Sequence, residues 1–461
     1  MNNYSKIKKI FFAGIGGAGM SGIAEVLHNM GFVVSGSDIA ENEPVKRLKK
    51  IGIDVFLGHD KKNIQQAETL VYSSAVNDDN VEVQEAKEMG IPVIPRAEML
   101  AELMRLKFSI AVAGTHGKTS TTSMLASIFN EAGKDPTYVV GGKLKTEESG
   151  AKLGDSEYLI AEADESDGSF LRLFPTIAVI TNIENDHLDH YGTIEKLLEA
   201  FTEFGNKIPF YGAVIFNSGC KYSNVIRQNL KKKAVSFGFD DNCDIRAEKI
   251  EQSAFNSVFD LIIRGKQYGK IKLNTTGKHN IENALAAIGA AFETGIDMKY
   301  IKAGLNNFYL PDRRFQVVFY NKKYLVIDDY AHHPTEIRAT IEALKNGKYK
   351  RIIVIFQPHR FTRLKILMNE FKKAFTGVDK LVIARLYSAN QEEIETVSGN
   401  ILAEQIKSFG FEDVLYIDEL DKISIWLERE IEEGDAVAFL SAGDLSVYAH
   451  KFAEIMERKE K

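Results

Sequence analysis

Residues Ile110 to Thr122 read I-A-V-A-G-T-H-G-K-T-S-T-T. The apolar run Ile110 to Ala113 has the length and composition of a buried parallel strand. It breaks at Gly114, turns through Thr115, His116 and Gly117, and Lys118-Thr119 opens a helix. That helix carries Met124, Leu125, Ile128 and Phe129 at helical spacing. Strand, glycine turn, Lys-Thr, helix is an arrangement that holds a nucleoside triphosphate. The glycines admit backbone N–H groups to the phosphates, and the helix start adds unpaired donors and a positive dipole end. Lys118 would reach the β- and γ-phosphates, and the Thr119 hydroxyl would ligate Mg²⁺. Gly114, Thr115, His116, Gly117, Lys118, Thr119 and Ser120 are thus candidate ATP contacts. The full motif wants glycine five residues before Gly117, and Val112 stands there.

Further polar clusters follow apolar runs. After Tyr158 to Ala161 comes Glu162-Ala163-Asp164-Glu165-Ser166-Asp167, four carboxylates in six residues. Such a run suits a solvated loop. It equally suits Mg²⁺, which takes one or two carboxylates plus phosphate oxygens, because it falls at the carboxyl end of a strand, where ligands bind in open α/β sheets. Ile177 to Ile180 ends in Thr181-Asn182-Ile183-Glu184-Asn185-Asp186-His187, placing His187 at that same edge. Asn280 and Asn283 open an Ala-rich helix and share one of its faces. Paired amides there either cap the helix or bracket a purine or a metal-bound water.

Near the N-terminus Gly14, Gly16 and Gly19 fit G-x-G-x-x-G between a strand (Ile10 to Ala13) and a helix (Met20 to Met30). Asp38 ends the next strand, where a carboxylate can accept from a ribose hydroxyl. This pattern reads as diphosphate plus ribose, which a UDP group carries as well as NAD does. In the last third, four strands empty into polar loops: Asp328-Asp329-Tyr330-Ala331-His332-His333-Pro334, Gln357-Pro358-His359-Arg360, Tyr387-Ser388-Ala389-Asn390 and Ser441-Ala442-Gly443-Asp444. Three histidines with Arg360 and Arg363 gather there, and Asp444 reads as a helix cap before Leu445.

The elements that must position these residues alternate strand and helix, so the fold class is α/β with three domains. An N-terminal Rossmann-like parallel sheet (1–106) is followed by a central P-loop ATPase domain (107–310), with residues 211–275 forming an appended antiparallel layer. A C-terminal Rossmann-like domain (311–461) begins at the linker Leu310-Pro311-Asp312. The 461 residues suit about three domains. Net charge is −6, so no nucleic-acid partner is expected. No apolar run approaches a membrane span, and Met1 to Ile10 has no signal-peptide core. Cys220 and Cys243 lack metal-ligand spacing. A cytoplasmic, disulfide-free protein without a membrane partner is expected.

In order, the chain carries G-T-H-G-K-T, E-A-D-E-S-D, H-N-x-x-N-A, D-R-R-F-Q, D-D-Y-A-H-H-P and Q-P-H-R. This set resembles the Mur ligase family along essentially the full length. The D-Y-A-H-H-P and Q-P-H-R loops point to its muramate-accepting branch. A recycling branch, adding a preformed tripeptide to the same nucleotide sugar, is the alternative; a nicotinamide dehydrogenase is the rival from another class. The resemblance implies ATP-dependent amide synthesis in peptidoglycan precursor assembly, and so in cell-wall biogenesis, shape and division. The lactyl carboxylate of UDP-N-acetylmuramate would form an acyl phosphate, and L-alanine would displace phosphate. The substrates would be that nucleotide sugar and L-alanine, and the cofactors ATP and two Mg²⁺ ions. By the same resemblance Thr119, Glu162 and His187 are metal ligands, with no carbamylated lysine. Lys118, Glu162, His187, Arg314 and His332 are the catalytic set. Asn280, Asn283, Arg314 and Asp329 complete the ATP contacts. Gly14, Gly16, Gly17, Gly19, Ser37, Asp38 and Ser74 hold UDP, while Tyr330, His332, His359, Arg360 and Arg363 grip the sugar acid and amino acid. A monomer or weak homodimer is expected, hinged near Pro311.

Overall fold

Many of the strands that build the molecule's sheets are apolar runs of four to six residues followed by a helix. A computed structural model describes residues 7–73, 75–140, 150–321, 323–389 and 391–460. Five strands, β1 (Lys9–Ala13), β2 (Val33–Asp38), β3 (Asp54–Leu57), β4 (Thr69–Tyr72) and β5 (Val93–Pro95), form an all-parallel sheet ordered β3-β2-β1-β4-β5. The order reverses at β1. Ala13 registers with both Ser37 and Tyr72, so the loops after β1, β2 and β4 meet at one edge.

The central sheet uses β6 (Phe108–Ala113), β7 (Thr137–Val139), β8 (Ala151–Lys152), β9 (Tyr158–Glu162), β10 (Ile177–Ile180), β11 (Ala213–Asn217), β12 (Ala234–Gly238), β13 (Ile245–Gln252), β14 (Ser257–Ile263) and β15 (Lys266–Leu273). Its order is β15-β14-β13-β12-β11-β10-β6-β9-β7-β8. Ala113 pairs with Ile180 and Val112 with Glu162. The glycine turn, the acid-rich segment and the Thr181–His187 loop therefore leave from three adjacent strand ends.

One sequence expectation changes here. Residues 211–275 are not wholly an antiparallel layer. β11 and β12 continue the parallel sheet, pairing with β10 and with one another. The short polar helix Ser223–Asn229 is the crossover that makes this possible. Only the tail is a meander: β14 turns into β15 through Arg264 and Gly265, both at positive φ, as a two-residue hairpin requires.

The last sheet holds β16 (Gln316–Tyr320), β17 (Leu325–Asp329), β18 (Arg351–Phe356), β19 (Lys380–Ala384), β20 (Val414–Ile417) and β21 (Asp435–Leu440), ordered β16-β17-β21-β18-β19-β20. Only β16 runs antiparallel. Asp329 and Phe356 both register with Leu440.

The chain divides into two compact units. One takes Met1–Lys249, Phe259–Lys272 and Glu282–Phe308; the other takes Ile250–Val258, Leu273–Ile281 and Tyr309–Lys461. In the first, one apolar core joins Phe12, Ile23 and Leu27 to Ala111, Phe170 and Phe204, and a smaller one gathers Phe11, Ile64, Leu70 and Val83. In the second, Val326, Ile353, Ile355, Val382, Val437 and Phe439 form the core.

The helix Lys118–Glu131 after the glycine turn is fixed from behind by the helix Met298–Asn306. Ser127 Oγ donates to the Gly304 carbonyl at 2.8 Å. A Cβ at Gly304 would lie 2.5 Å from Ile128 Cα, against backbone that cannot yield. Alanine in a helix gains roughly 0.5–1 kcal/mol over glycine, but overpacking costs about 1–3 kcal/mol. Gly304→Ala should therefore lower stability by a net ~1–2 kcal/mol, read as a lower urea midpoint at unchanged slope.

Candidate active site

The glycine turn is shaped by contacts that allow nothing larger. Gly114 and Gly117 have φ of 136° and 81°. A Cβ at Gly114 would lie 2.0 Å from Thr181 Oγ1, and one at Gly117 would lie 2.2 Å from Asn283 Oδ1. The turn is stapled by the Thr181–Glu184 segment. Asn182 Oδ1 accepts from the His116 N–H at 2.8 Å, and Asn182 Nδ2 donates to the His116 carbonyl at 3.0 Å. Thr181 Oγ1 donates to that same carbonyl at 2.5 Å, and the Glu184 N–H donates to Thr115 Oγ1 at 3.0 Å. His116 Nε2 faces Glu184 Oε2 at 3.8 Å. The following helix starts on Gly117 with no side-chain cap, which leaves its first-turn donors to a ligand.

Lys118 folds back on this turn. Its ammonium donates to the Gly114 carbonyl at 2.6 Å and to Glu165 at 2.8 Å. Glu165 is 1% exposed. Burial alone would depress the Lys118 pKa, but Glu165, Asp164 and Glu162 outweigh it and hold the amine above its usual value. Glu165 also faces His187, Nε2 to Oε1 at 3.5 Å, and its backbone carbonyl accepts from Tyr191 Oη at 2.5 Å. Burial, then the charge of Glu165, pushes the Tyr191 phenol far up, so it stays a donor. His187 occupies the left-handed region (φ 58°), a costly conformation for a histidine. Its other acidic neighbour is Asp186, at 3.6 Å.

The residues fit Mg²⁺. Thr119, in the first turn of the helix after the glycine turn, and Glu162, at the end of β9, carry hard oxygen donors, the preference of that ion. The Glu165 and Asp186 carboxylates lie on either hand of His187, at 3.5 and 3.6 Å. Glu165 is the group that sequence reasoning passed over. A run of four acids carries no periodicity to tell which one turns inward. Thr181 and Asn182 went unassigned for a similar reason, since small polar residues after a strand usually cap or turn.

At the N-terminal edge the fingerprint glycines mostly brace themselves. The N–H groups of Gly14 and Ile15 donate to the Ser37 carbonyl, both at 2.9 Å, and that of Gly17 donates to the Gly14 carbonyl at 3.3 Å. The Gly16 N–H donates to Asp38 Oδ2 at 2.8 Å, while Asp38 Oδ1 takes the Ala40 N–H at 3.2 Å. Ser37 Oγ donates to the fully buried Glu82 at 2.5 Å, which also takes Asn63 Nδ2 at 2.7 Å and faces His59 Nδ1 at 2.7 Å. Ser74 lies outside the described residues.

The C-terminal unit assembles its own cluster. Both Asp329 oxygens accept backbone N–H groups, from Phe315 at 2.7 Å and Ala331 at 2.8 Å, and burial lifts its pKa to about 6 against the pull of Arg314. Arg313 and Arg314 stand over the Tyr330 ring at 4.9 and 5.1 Å. Asn280 Nδ2 donates to the Thr276 carbonyl at 2.8 Å, a local capping bond. Asp444, read as a helix cap, instead accepts from Gln357 Nε2 at 2.6 Å and Arg385 Nη2 at 2.8 Å. Two side chains at neighbouring strand ends outcompete the helix start.

His332 Nδ1 lies 2.8 Å from the Tyr330 carbonyl, which can only accept, so Nδ1 carries the proton and Nε2 is bare. Glu336 accepts the His332 N–H at 3.0 Å and meets Arg314 at 3.7 Å. His359 is the opposite tautomer: Arg363 Nη1, which can only donate, lies 3.3 Å from its Nδ1. The two rings are 5.7 Å apart, and Tyr387 stacks on His359 at 5.5 Å. Burial, with Arg363 assisting, lowers His332 to about 4 despite Glu336. Burial, His332 and the arginines lower His359 to about 3. Arg360 holds φ 67° at the loop tip.

Models of the Mur ligase family match in three parts: the catalytic domain over residues 9–108, the middle domain over 112–291 and the glutamate ligase domain over 313–443. A relative from Geotalea daltonii, named UDP-N-acetylmuramate–L-alanine ligase, is 48% identical over 443 residues, 96% of each chain. The solved UDP-N-acetylmuramate–alanine ligase of Thermotoga maritima superposes with TM-score 0.82 at 29% identity, covering 98% of this chain and 100% of that one. A murein peptide ligase from Psychrobacter arcticus shares the fold, with TM-score 0.69 at 24% identity over 97% and 98% of the two chains. The chain belongs to the Mur ligase family.

Two outcomes follow from the electrostatics. Glu165→Gln removes the charge that holds Lys118 protonated. Acylation of Lys118 by an amine-selective reagent, followed by mass spectrometry across pH, should shift to lower pH than in wild type; an unmoved profile would refute the pairing. The histidines act on stability through their lowered values. The unfolded chain takes up protons near pH 6.5 and the folded one only near 4 and 3, so stability present above pH 6.5 is lost as pH falls toward 4. Asp329, raised from 3.8 to about 6, and Asp328, also raised by burial, work the other way over part of that window, but the larger shifts of the two imidazoles outweigh them. Unfolding midpoints at pH 7 and 4.5 should therefore differ, and His332→Gln or His359→Gln should flatten the difference.

Proposed function

We propose that this protein is an ATP-dependent ligase joining L-alanine to the lactyl carboxylate of UDP-N-acetylmuramate in peptidoglycan precursor synthesis. The carrying observation is a protonated Lys118 behind a glycine-only phosphate turn, in a chain matching alanine-adding relatives almost end to end. The carboxylate takes the γ-phosphoryl group of ATP, giving an acyl phosphate and ADP. The alanine amine then attacks, and phosphate leaves.

In this reading residues 1–106 bind the nucleotide sugar, 107–310 bind ATP, and 311–461 bind the amino acid and close on the nucleotide. Lys118 and the first-turn N–H groups hold the phosphates, with Asn283 packed against the turn. Thr119, Glu162 and His187 hold two Mg²⁺ ions, which neutralise charge on the transferring group. Arg314 serves the phosphates as well. His332 keeps a bare Nε2 at neutral pH, so it can take the proton that the alanine ammonium must lose. Arg360 and Arg363 suit the amino acid's carboxylate, and His359 offers its Nε2–H beside them. Fixing carboxylate, phosphate and amine together supplies up to roughly 7–11 kcal/mol. A cytoplasmic location suits the free thiols of Cys220 and Cys243. Among the described residues no helix is long and apolar enough to cross a membrane.

The test is phosphate release with ATP, Mg²⁺ and UDP-N-acetylmuramate, with L-alanine present or withheld. Release that requires both the sugar acid and alanine is expected. Release with a tripeptide but not with alanine would move the protein to the recycling reaction. No release would overturn the ligase reading.

A further inference from the structure

We propose that Tyr387 is a positioning residue for the amino-acid substrate, holding the His359 ring so that its Nε2–H meets the incoming carboxylate. The assignment rests on the function proposed above. Tyr387 stands in the polar loop that follows β19. Its ring lies along the His359 ring, centroids 5.5 Å apart and planes 9° from parallel. Parallel rings at that spacing are offset from one another, an arrangement that aromatic quadrupoles favour. Arg363 Nη1 donates to the His359 Nδ1 at 3.3 Å, and one long bond to one ring nitrogen does not fix a plane. The stack does, and it thereby aims the opposite nitrogen and its proton. An imidazole already in its plane adds no ordering cost when the amino acid binds; without the stack that cost falls on binding.

Tyr387 is itself held by backbone and by a glycine. The loops after β18 and β19 are zipped together here, His359 and Tyr387 forming a parallel bridge. The Tyr387 N–H donates to the Pro358 carbonyl at 2.8 Å, and the Tyr387 carbonyl accepts from the Arg360 N–H at 2.9 Å. The second bond also secures Arg360 in its left-handed conformation, φ 67°. Against the tyrosine lies Gly443. A Cβ there would come within 2.7 Å of Tyr387 Cγ and 2.6 Å of Gln357 Oε1, so a glycine is what gives the tyrosine its seat. That glycine is pinned. Its N–H donates to Ser441 Oγ at 2.8 Å, and its carbonyl accepts from Arg313 Nη2 at 3.3 Å. Ser441 Oγ in turn donates to the buried Gln357 at 2.7 Å. Tyr387 is nevertheless 39% exposed. A tyrosine so open, with its ring laid on one imidazole, is placed to orient that imidazole and not to fill a core.

Initial rates, with each substrate varied while the other two saturate, test the assignment. Tyr387→Leu should raise the KM for L-alanine about two- to tenfold, the range that an aromatic stack spans. Its kcat, and its KM values for ATP and UDP-N-acetylmuramate, should match wild type. Tyr387→Phe keeps the ring and should behave as wild type throughout. The effect should also pass through the imidazole: in a His359→Gln background, Tyr387→Leu should add nothing further to the alanine KM. Matching melting curves establish that the variants fold. An unchanged alanine KM in Tyr387→Leu would overturn the proposal. So would a rise shared by all three substrates, or one that persists undiminished beside His359→Gln. Tyr387→Phe as impaired as Tyr387→Leu would hand the role to the hydroxyl and overturn the stack. Failure of the wild type to release phosphate with all three substrates would instead overturn the function on which the proposal rests.

Discussion

An ammonium group taken out of water is the constraint around which the central sheet is arranged. In the proposed reaction Lys118 meets the phosphates, and the place it occupies is enclosed. Without a counter-charge the amine would shed its proton. Glu165 supplies the charge, Asp164 and Glu162 reinforce it, and the Gly114 carbonyl takes a further bond. Each of these depends on something behind it. Tyr191 bonds the Glu165 backbone. Thr181 and Asn182 hold the turn so that its carbonyls face the amine. Pairing of β6 with β9 and β10 brings the three loops to one edge. A charged lysine already held in place needs no reorganisation when ATP binds beyond an exchange of partners.

The C-terminal unit uses burial to the opposite end. Around Lys118 carboxylates outnumber the cation, and charge wins over desolvation. Around His332 and His359 the neighbours are Arg363, Arg360, Arg313 and Arg314, with Glu336 the opposing charge, and desolvation and repulsion win together. The first arrangement keeps a proton on at neutral pH; the second keeps one off. That division suits a two-stage reaction. Phosphoryl transfer wants fixed positive charge, and attack by an amine wants a neighbouring acceptor that is unprotonated at neutral pH. The tautomers follow from neighbours alone, a carbonyl for His332 and a guanidinium for His359.

Much of this was legible in the residues. Glycine at 114 and 117, then Lys118-Thr119, specify backbone geometry and chemistry that few other arrangements use, and apolar runs such as Ile177–Ile180 place strands to within a residue. Legibility fails where the signal is local but the outcome is not. β11 and β12 look like pieces of a meander, because their crossover helix is short and polar. Asp444 precedes an apolar residue as a cap would, yet Gln357 and Arg385 arrive from other strand ends. Glu165 is one acid among four, and only the strand register turns it toward Lys118.

The N-terminal edge carries this argument furthest. A fingerprint reads as though its glycines reach for the ligand. Here Gly14, Gly16 and Gly17 spend their N–H groups on Ser37, Asp38 and one another. Glu82 then holds Ser37 from beneath, with Asn63 and His59 around it. The glycines' contribution is a turn tight enough to aim a helix start outward, and the acid at the end of β2 keeps it tight. A buried N–H must be satisfied whether or not a ligand is present. A turn that satisfies its own is rigid before binding, but it leaves fewer donors for the anion.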